Sequence, residues 1–367
     1  HPDTAVTIYY TLDSSIPSDS SVTPVSYQYK NTYPGPFLTA QFRSFVYNDT
    51  LTMADSSGSL NTISGIATTH GDDLDYIPTT AVPKSQVIRA IATKPGALSS
   101  EIATNSYFFS PDGGSSFSLP IISITTQADG LFDYNRGIYV PGEDFENWKN
   151  AYPSEIPNVG STANYHRVGE PAERSAHFSI IENEAVTYQQ DVGIRIHGGW
   201  PRGFRVKSLR VYGTDQYKTI NYKLFPTLPY TEYKTFLLRN AGNDYASTLF
   251  RDAFIHESVA HLKIDIQAYR PTVLFLNGEY WGIHNLRQRQ DKHYYNQKYN
   301  VDADNLDVLS EEVEEGDTTH YNAMLNYVVT NGVTDTTHYE YLKTQMDVES
   351  FSDYQITESF YNNFDWG

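Results

Sequence analysis

Between His197 and Arg210 the chain reads His-Gly-Gly-Trp-Pro-Arg-Gly-Phe-Arg-Val-Lys-Ser-Leu-Arg. Glycines such as Gly198, Gly199 and Gly203 let backbone N–H groups close on an anion, and Arg202, Arg205, Lys207 and Arg210 add positive charge. That combination suits a phosphate-bearing ligand. Such a density of cations is unusual in a chain with 26 basic and 44 acidic side chains and a net charge of −18. The bland alternative is a glycine hairpin whose cations pair with local carboxylates, and residue types alone keep both readings open. Neither a P-loop nor a dinucleotide-binding glycine fingerprint is present. The lipase-like His197-Gly198-Gly199 has no Gly-x-Ser-x-Gly partner, which sets a serine hydrolase aside.

Two further runs carry functional groups. Asn277-Gly278-Glu279-Tyr280-Trp281-Gly282 is a hairpin signal, and the strand that leaves it ends in Arg287, Gln288, Arg289 and Asp291. Near the far end, Phe360-Tyr361-Asn362-Asn363-Phe364-Asp365-Trp366-Gly367 places an Asn-Asn-x-Asp cluster at the end of an apolar helix. So polar and aromatic an end predicts a fragment boundary there rather than a natural terminus. Other candidates are plainer. Asp302 to Asp307 lacks the central Gly and the bidentate Glu spacing of a Ca²⁺ loop. His256 and His261, five apart, do not stack on one helical face as a metal pair would. Asp13 and Asp244 sit in turns, where Asp bonds its own backbone, and Arg251 falls on the helix that follows.

Composition narrows the field. The 367 residues suggest two domains, each able to bury a core. With no cysteine, thiolate metal sites, disulfides and a cysteine nucleophile are excluded. The acidic balance argues against a nucleic-acid partner, whose footprint is a basic face. No apolar run approaches the ~20 residues of a transmembrane span. Aromatic residues make up 14% of the chain against 19% charged, which suits an extracellular β-rich surface.

Elements must hold these groups in place. Residues 1–110 read as a β module, with strands at Val6–Leu12, Gln86–Ala92 and Ile102–Phe109 and loops or an insertion across 35–80. Ser110 to Ser116 is small, polar and turn-forming throughout, which predicts a linker at 111–118. From 119 to 367 the chain turns α+β. Strands are expected at 119–125, 176–181, 192–197, 206–212, 235–239, 272–276 and 281–286, with a long loop over 143–173. Helices are expected at 247–262, where Ser247 would be the N-cap, and at 290–299, 319–330, 338–346 and 350–364.

The run from Tyr9 to Pro17, together with the close of the module near Arg89-Ala90-Ile91-Ala92, resembles the β-sandwich at the C-terminus of chitobiases and β-hexosaminidases. Here Ser14 stands where that pattern usually has Gly. The resemblance implies an immunoglobulin- or fibronectin-like accessory sandwich, with a glycan as the partner it would serve. A glycosidase would need two carboxylates facing each other across a cleft, which sequence does not place.

From about Leu119 to Gly367 the chain resembles the spore coat protein H (CotH) kinase-like family. The runs that carry this are "HGGWPRGFRVKSLRVY", "LRNAGNDYASTLFRDAF", "NGEYWGIHNLRQRQDKHY" and "NNFDWG", in that order. The resemblance implies an atypical protein-kinase fold that transfers the γ-phosphoryl of ATP, with Mg²⁺, to Ser or Thr of a secreted protein. It places Lys207 on the nucleotide phosphates, beside Arg202, Gly199 and Gln288, and makes Asp365 the catalytic-loop aspartate. Asp244, Arg251 and Arg289 lie within the matching runs as further candidates. Where the family usually carries Arg-Glu, this chain has Arg287-Gln288, and an amide supplies no charge to pair with Lys207 or a metal. The second metal-binding aspartate is expected beyond Gly367, so the metal ligands stay unassigned. The expected setting is secreted or at the cell surface, in a bacterial envelope. The rival expectation is a non-catalytic surface adhesin or pseudokinase scaffold with a carbohydrate-binding sandwich.

Overall fold

The computed structural model describes residues 3–71, 76–109, 117–214, 216–310, 313–363 and 366. Most of the expected linker, residues 111–116, lies outside them. The chain forms two compact units, one of residues 1–249 with 270–286 and the other of residues 250–269 with 287–367.

The first unit opens with β1 (Thr7–Thr11), β2 (Val25–Tyr29), β3 (Leu38–Phe42), β4 (Phe45–Val46), β5 (Ser85–Thr93) and β6 (Ala103–Phe108). They make a four-stranded sheet in the order β4-β1-β5-β6 and a separate hairpin β2-β3. Ser85, Val87 and Arg89 are buried while Gln86, Ile88 and Ala90 are half-buried, the period of two that a sheet with one core face demands. Arg89 is tolerated inside because its Nη1 donates to the Ser14 carbonyl at 3.1 Å. Ser14 itself is buried at φ +67, in a turn held by the Asp13 carboxylate accepting the Ser15 N–H at 3.0 Å. A left-handed residue explains why glycine suits this place. Ser14→Gly should therefore raise stability by about 1 kcal/mol, read from urea unfolding; a loss of stability would show that the hydroxyl matters more than the backbone.

The rest of this unit is a closed barrel. Its strands are β7 (Ile121–Thr126), β8 (Arg174–Glu182), β9 (Ala185–His197), β10 (Ser208–Tyr212), β13 (Thr235–Arg239), β14 (Tyr269–Leu276) and β15 (Glu279–Arg287). Between β10 and β13 lies a small pair, β11 (Ile220–Asn221) with β12 (Glu232–Tyr233). Neighbours run β10-β13-β15-β14-β7-β8-β9, and β9 pairs antiparallel with β10 to close the ring. β7 and β14 are parallel, with Ile122 opposite Leu274. Ile122, Ile124, Phe178, Ile194, Val211, Phe236 and Leu274 are wholly buried and form its core. The Asn277-Gly278 turn joins β14 to β15 with φ +48 and +82, the paired left-handed geometry its sequence predicts. Phe108 and Phe117, which flank the undescribed stretch, both pack edge-on against Phe275.

Short helices α1 (Ala128–Phe132) and α2 (Gly142–Ala151) also belong to this unit. α2 replaces the first part of the loop expected over 143–173. Its buried face is little more than Phe145 and Trp148, which pack with Ala163, Tyr165 and Tyr33, too few apolar positions to show a helical period.

The second unit holds α3 (Arg251–Ser258), α4 (Lys292–Tyr299), the β16 (Val308–Leu309) and β17 (Val313–Glu315) pair, α5 (Thr319–Asn331), α6 (Thr336–Gln345) and α7 (Val348–Phe360). α3 is shorter than expected, and Ser247 does not cap it. Leu249, at φ +66, breaks the helical path before the helix can start. Where a side chain caps a later helix, it is acidic. Asp291, Asp335 and Asp347 accept the first backbone N–H groups of α4, α6 and α7, so some of the acidic excess serves helix starts. The fold is thus mixed α/β with several sheets. Among the described residues no helix is long and apolar enough to cross a membrane.

Candidate functional site

Trp200–Gly203 makes one 3-10 turn after β9, with Pro201 at its start. Gly198, at φ +106, bends the chain into it. A side chain on Gly203 would collide with the Val159 carbonyl 2.2 Å away, so glycine is required there for close packing. Gly199 is exposed and nothing crowds its Cβ position.

Lys207 follows this turn, one residue ahead of β10, and is wholly buried. Its Nζ donates to the carbonyls of Thr68 at 3.0 Å, Arg202 at 2.7 Å and Phe204 at 2.7 Å. Three ammonium hydrogens thus meet three acceptors. The Tyr165 ring lies 4.0 Å below the charge. Burial, followed by the Arg202 charge, pushes the Lys207 pKa well below its ordinary value.

The backbone of Lys207 is gripped as firmly. Tyr139 Oη accepts its N–H at 2.9 Å and also the Trp281 indole N–H at 2.9 Å. His284 Nε2 lies 3.3 Å from its carbonyl. Next door, Ser208 and Asn240 exchange bonds at 2.8 and 3.0 Å, and Asn240 Oδ1 accepts the Gly242 N–H. Three of the four sequence runs therefore converge on one spot: the glycine turn, the Arg239-Asn240-Ala241-Gly242 bend and the β15 hairpin.

The loop 62–70 closes over that spot. Glu279, buried at the tip of the hairpin, accepts the N–H and hydroxyl of Thr62 at 2.6 and 2.8 Å and the N–H of Ser64 at 2.7 Å. Ile66 and Ala67 are buried, and the Thr68 hydroxyl donates to the Arg205 carbonyl at 2.6 Å. Residues 35–80, read from sequence as an insertion or loops, supply the acceptor that Lys207 faces.

The other candidates are placed as follows. Arg202 directs Nε to the Gly198 carbonyl and Nη1 to those of Tyr165 and Arg167. Asp244 accepts the N–H and hydroxyl of Thr248, a local turn bond. In the second unit, Gln288 Oε1 accepts the Ala268 N–H at 3.1 Å. Arg289 pairs with Asp291 at 2.8 Å and with Glu314. Arg251 opens α3 and lies on the wall of a cavity of about 680 Å³. Asp252, Asp265, Asp347 and Glu358 also line this cavity, so its walls favour a cation over a phosphate. Asn362 and Asn363 border it, while Asp365 lies outside the described residues. Among the described residues, no group of three His, Asp or Glu comes together as a metal site.

As arranged here, Lys207 and Arg202 are engaged by backbone carbonyls, so these residues do not fit a nucleotide triphosphate without movement. Sequence reading found the cations but missed Glu279, Tyr139 and Asn240, the groups that fix them. Glu279 stands directly after Asn277-Gly278, and only its burial gives it away.

Two imidazoles, His284 wholly buried and His166 half-buried, add a pH signature. Burial lowers the pKa of His284 to about 4, and burial with the charges of Arg202 and Lys207 lowers that of His166 to about 4. An unfolded histidine takes up its proton near 6.5, whereas these two stay neutral until near 4. Stability is therefore fully present above about 6.5 and falls as the pH drops from there to about 4, by roughly 3 kcal/mol for His284 and by less for the half-exposed His166, where solvent screens the charges. Urea midpoints measured across that range should fall steadily; a flat profile would mean that neither ring is held neutral.

No curated protein matches the chain. The family model described as CotH kinase protein matches residues 194–367, a stretch that contains all four runs. Over that stretch, a little under half of its length, the chain is similar to the CotH kinase family.

Proposed function

We propose that this chain is an atypical protein kinase of the CotH type, using Mg²⁺ and ATP to phosphorylate Ser or Thr of a protein outside the cell. The observation that carries the reading is the family match over 194–367, with three of its runs knitted around Lys207. In this reading 119–367 is the kinase-like domain and 1–110 an accessory sandwich of the chitobiase type, supported by the β4-β1-β5-β6 sheet and the β2-β3 hairpin. The aromatic-rich, cysteine-free composition supports a place on a bacterial cell surface or in its secretions.

Phosphoryl transfer rests mainly on positioning and charge neutralisation. For Lys207 to serve it, the ammonium must leave the Thr68, Arg202 and Phe204 carbonyls. A pseudokinase scaffold is the second reading, favoured by those three bonds and by Gln288, whose amide is taken up by the Ala268 N–H. Radiolabelled ATP with Mg²⁺ and a generic Ser-rich acceptor protein separates the two. The kinase reading expects label in the acceptor and a loss of at least about 100-fold in Asp365→Asn. Equal labelling by Asp365→Asn would remove Asp365 from its role, and no labelling by the parent chain would favour the scaffold.

A further inference from the structure

Residues 62–70 belong to no sheet. Among the described residues, their main-chain to main-chain bonding is confined to the Ile66 N–H on the Ile63 carbonyl at 3.1 Å. Side chains tie the segment down instead. Glu279 takes the donors of Thr62 and Ser64 at its start. Asn31, between β2 and β3, donates Nδ2 to the Gly65 carbonyl at 3.2 Å and accepts the Ala67 N–H on Oδ1 at 2.8 Å. Tyr76 Oη accepts the Thr68 N–H at 2.7 Å. At the far end His70 Nε2 lies 2.9 Å from the Asn158 carbonyl, and its ring stacks on Phe145 at 4.3 Å and 7°. Each such clasp is modest alone, and a segment outside the ladders opens locally before its unit unfolds.

What the segment covers is Lys207. Ala67 and Thr68 are buried. The Thr68 carbonyl takes one ammonium hydrogen at 3.0 Å, while the Thr68 hydroxyl donates to the Arg205 carbonyl at 2.6 Å. One residue thus holds both the lysine head and the turn that carries it. The other two acceptors, the Arg202 and Phe204 carbonyls, belong to that turn and travel with the lysine. Thr68 alone of the three comes from outside it. A phosphate oxygen competes for the same ammonium hydrogen and adds the attraction of opposite charge.

We propose that residues 62–70 are an autoinhibitory strap: closed, they withhold Lys207 from nucleotide, and release of the Asn31 and Tyr76 clasps exposes it. The regulatory role rests on the kinase reading of Lys207.

Acetylation of the whole, folded chain by a short pulse of acetic anhydride tests the cover, with Lys207 followed by peptide mass spectrometry against the exposed Lys218. Asn31→Ala, which loses two bonds to the strap, should speed Lys207 acetylation about tenfold or more, and Tyr76→Phe, which loses one and keeps its ring, about threefold. Titration with ATP and Mg²⁺ should rank the affinities in the same order. The unmodified chain supplies a readout free of any folding defect. In urea below the unfolding transition, Lys207 acetylation and hydrogen exchange at the Thr68 amide should rise together while β7 stays protected. The strap is overturned if both folded variants are acetylated at Lys207 as the parent is, if acetylation in the parent waits for β7 to open, or if ATP binds parent and variants alike. Faster acetylation with ATP bound by none of the chains upholds the cover and overturns the kinase reading instead.

Discussion

Lys207→Met is expected to cost the protein on the order of 3 kcal/mol of stability, read from urea unfolding. Three hydrogen bonds from a charged donor contribute roughly 1.5–3 kcal/mol each. Removing the ammonium also removes the cost of having buried it, several kcal/mol, so part of the loss is returned. The remainder is the cost of leaving the Thr68, Arg202 and Phe204 carbonyls buried without a donor. Unchanged stability would mean that the ammonium does not sit on those carbonyls. This expectation bears on the kinase reading directly. Loss of ATP binding in Lys207→Met informs on phosphate contact only if the variant is shown to be folded at the temperature of the titration. Asp365→Asn is the cleaner probe of chemistry, because it removes the charge and hardly changes the size of the side chain.

The second large effect belongs to Glu279. Glu279→Ala strips the acceptor from two backbone N–H groups and one hydroxyl, a loss of about 3 kcal/mol if each donor costs roughly 1 kcal/mol. The effect should be local before it is global. Hydrogen exchange at 62–70 should accelerate at least about tenfold, while the core strands β7 and β14 keep their protection. Glu279→Gln, which keeps one acceptor oxygen, should show a smaller change of the same kind. If exchange in 62–70 stays slow in Glu279→Ala, the loop is held by Ile66 and Ala67 packing rather than by the carboxylate. Freed of the loop, Lys207 would lose its Thr68 partner, so the same variant asks whether nucleotide affinity rises when that carbonyl departs.

Strands announced themselves in the sequence as short apolar, aromatic or β-branched runs. Thr235–Arg239 was placed to the residue, and the hairpin at Asn277-Gly278 followed from two residues that accept positive φ. The later helices are legible in the sequence, but their acidic caps are not: Asp291, which reads as a functional group at a strand end, caps α4. What stayed hidden was tertiary. No pattern in residues 35–80 tells that Thr68 will face a lysine 139 positions later. Nor does any local signal say that Glu279 will be buried, since Asn-Gly-Glu reads as a solvent-facing turn. The closure of the barrel was equally invisible, because the parallel pairing of β7 with β14 joins segments about 150 residues apart. Leu249 at φ +66 cut α3 short against a clear apolar stripe, a case of the backbone overriding periodicity.

The loop from Thr62 to His70 carries a consequence for how such proteins are assembled over evolution. A cassette that can be shuffled between hosts needs a seam across which few bonds run. Here the first hundred residues lend Lys207 one of its three acceptors and fill the carboxylate of Glu279. Transplanting 119–367 onto another partner would leave a lysine short of a carbonyl and a buried glutamate without donors. The two stretches are therefore expected to be inherited together, and a recombinant that separates them would need new residues at Lys207 and Glu279 to survive.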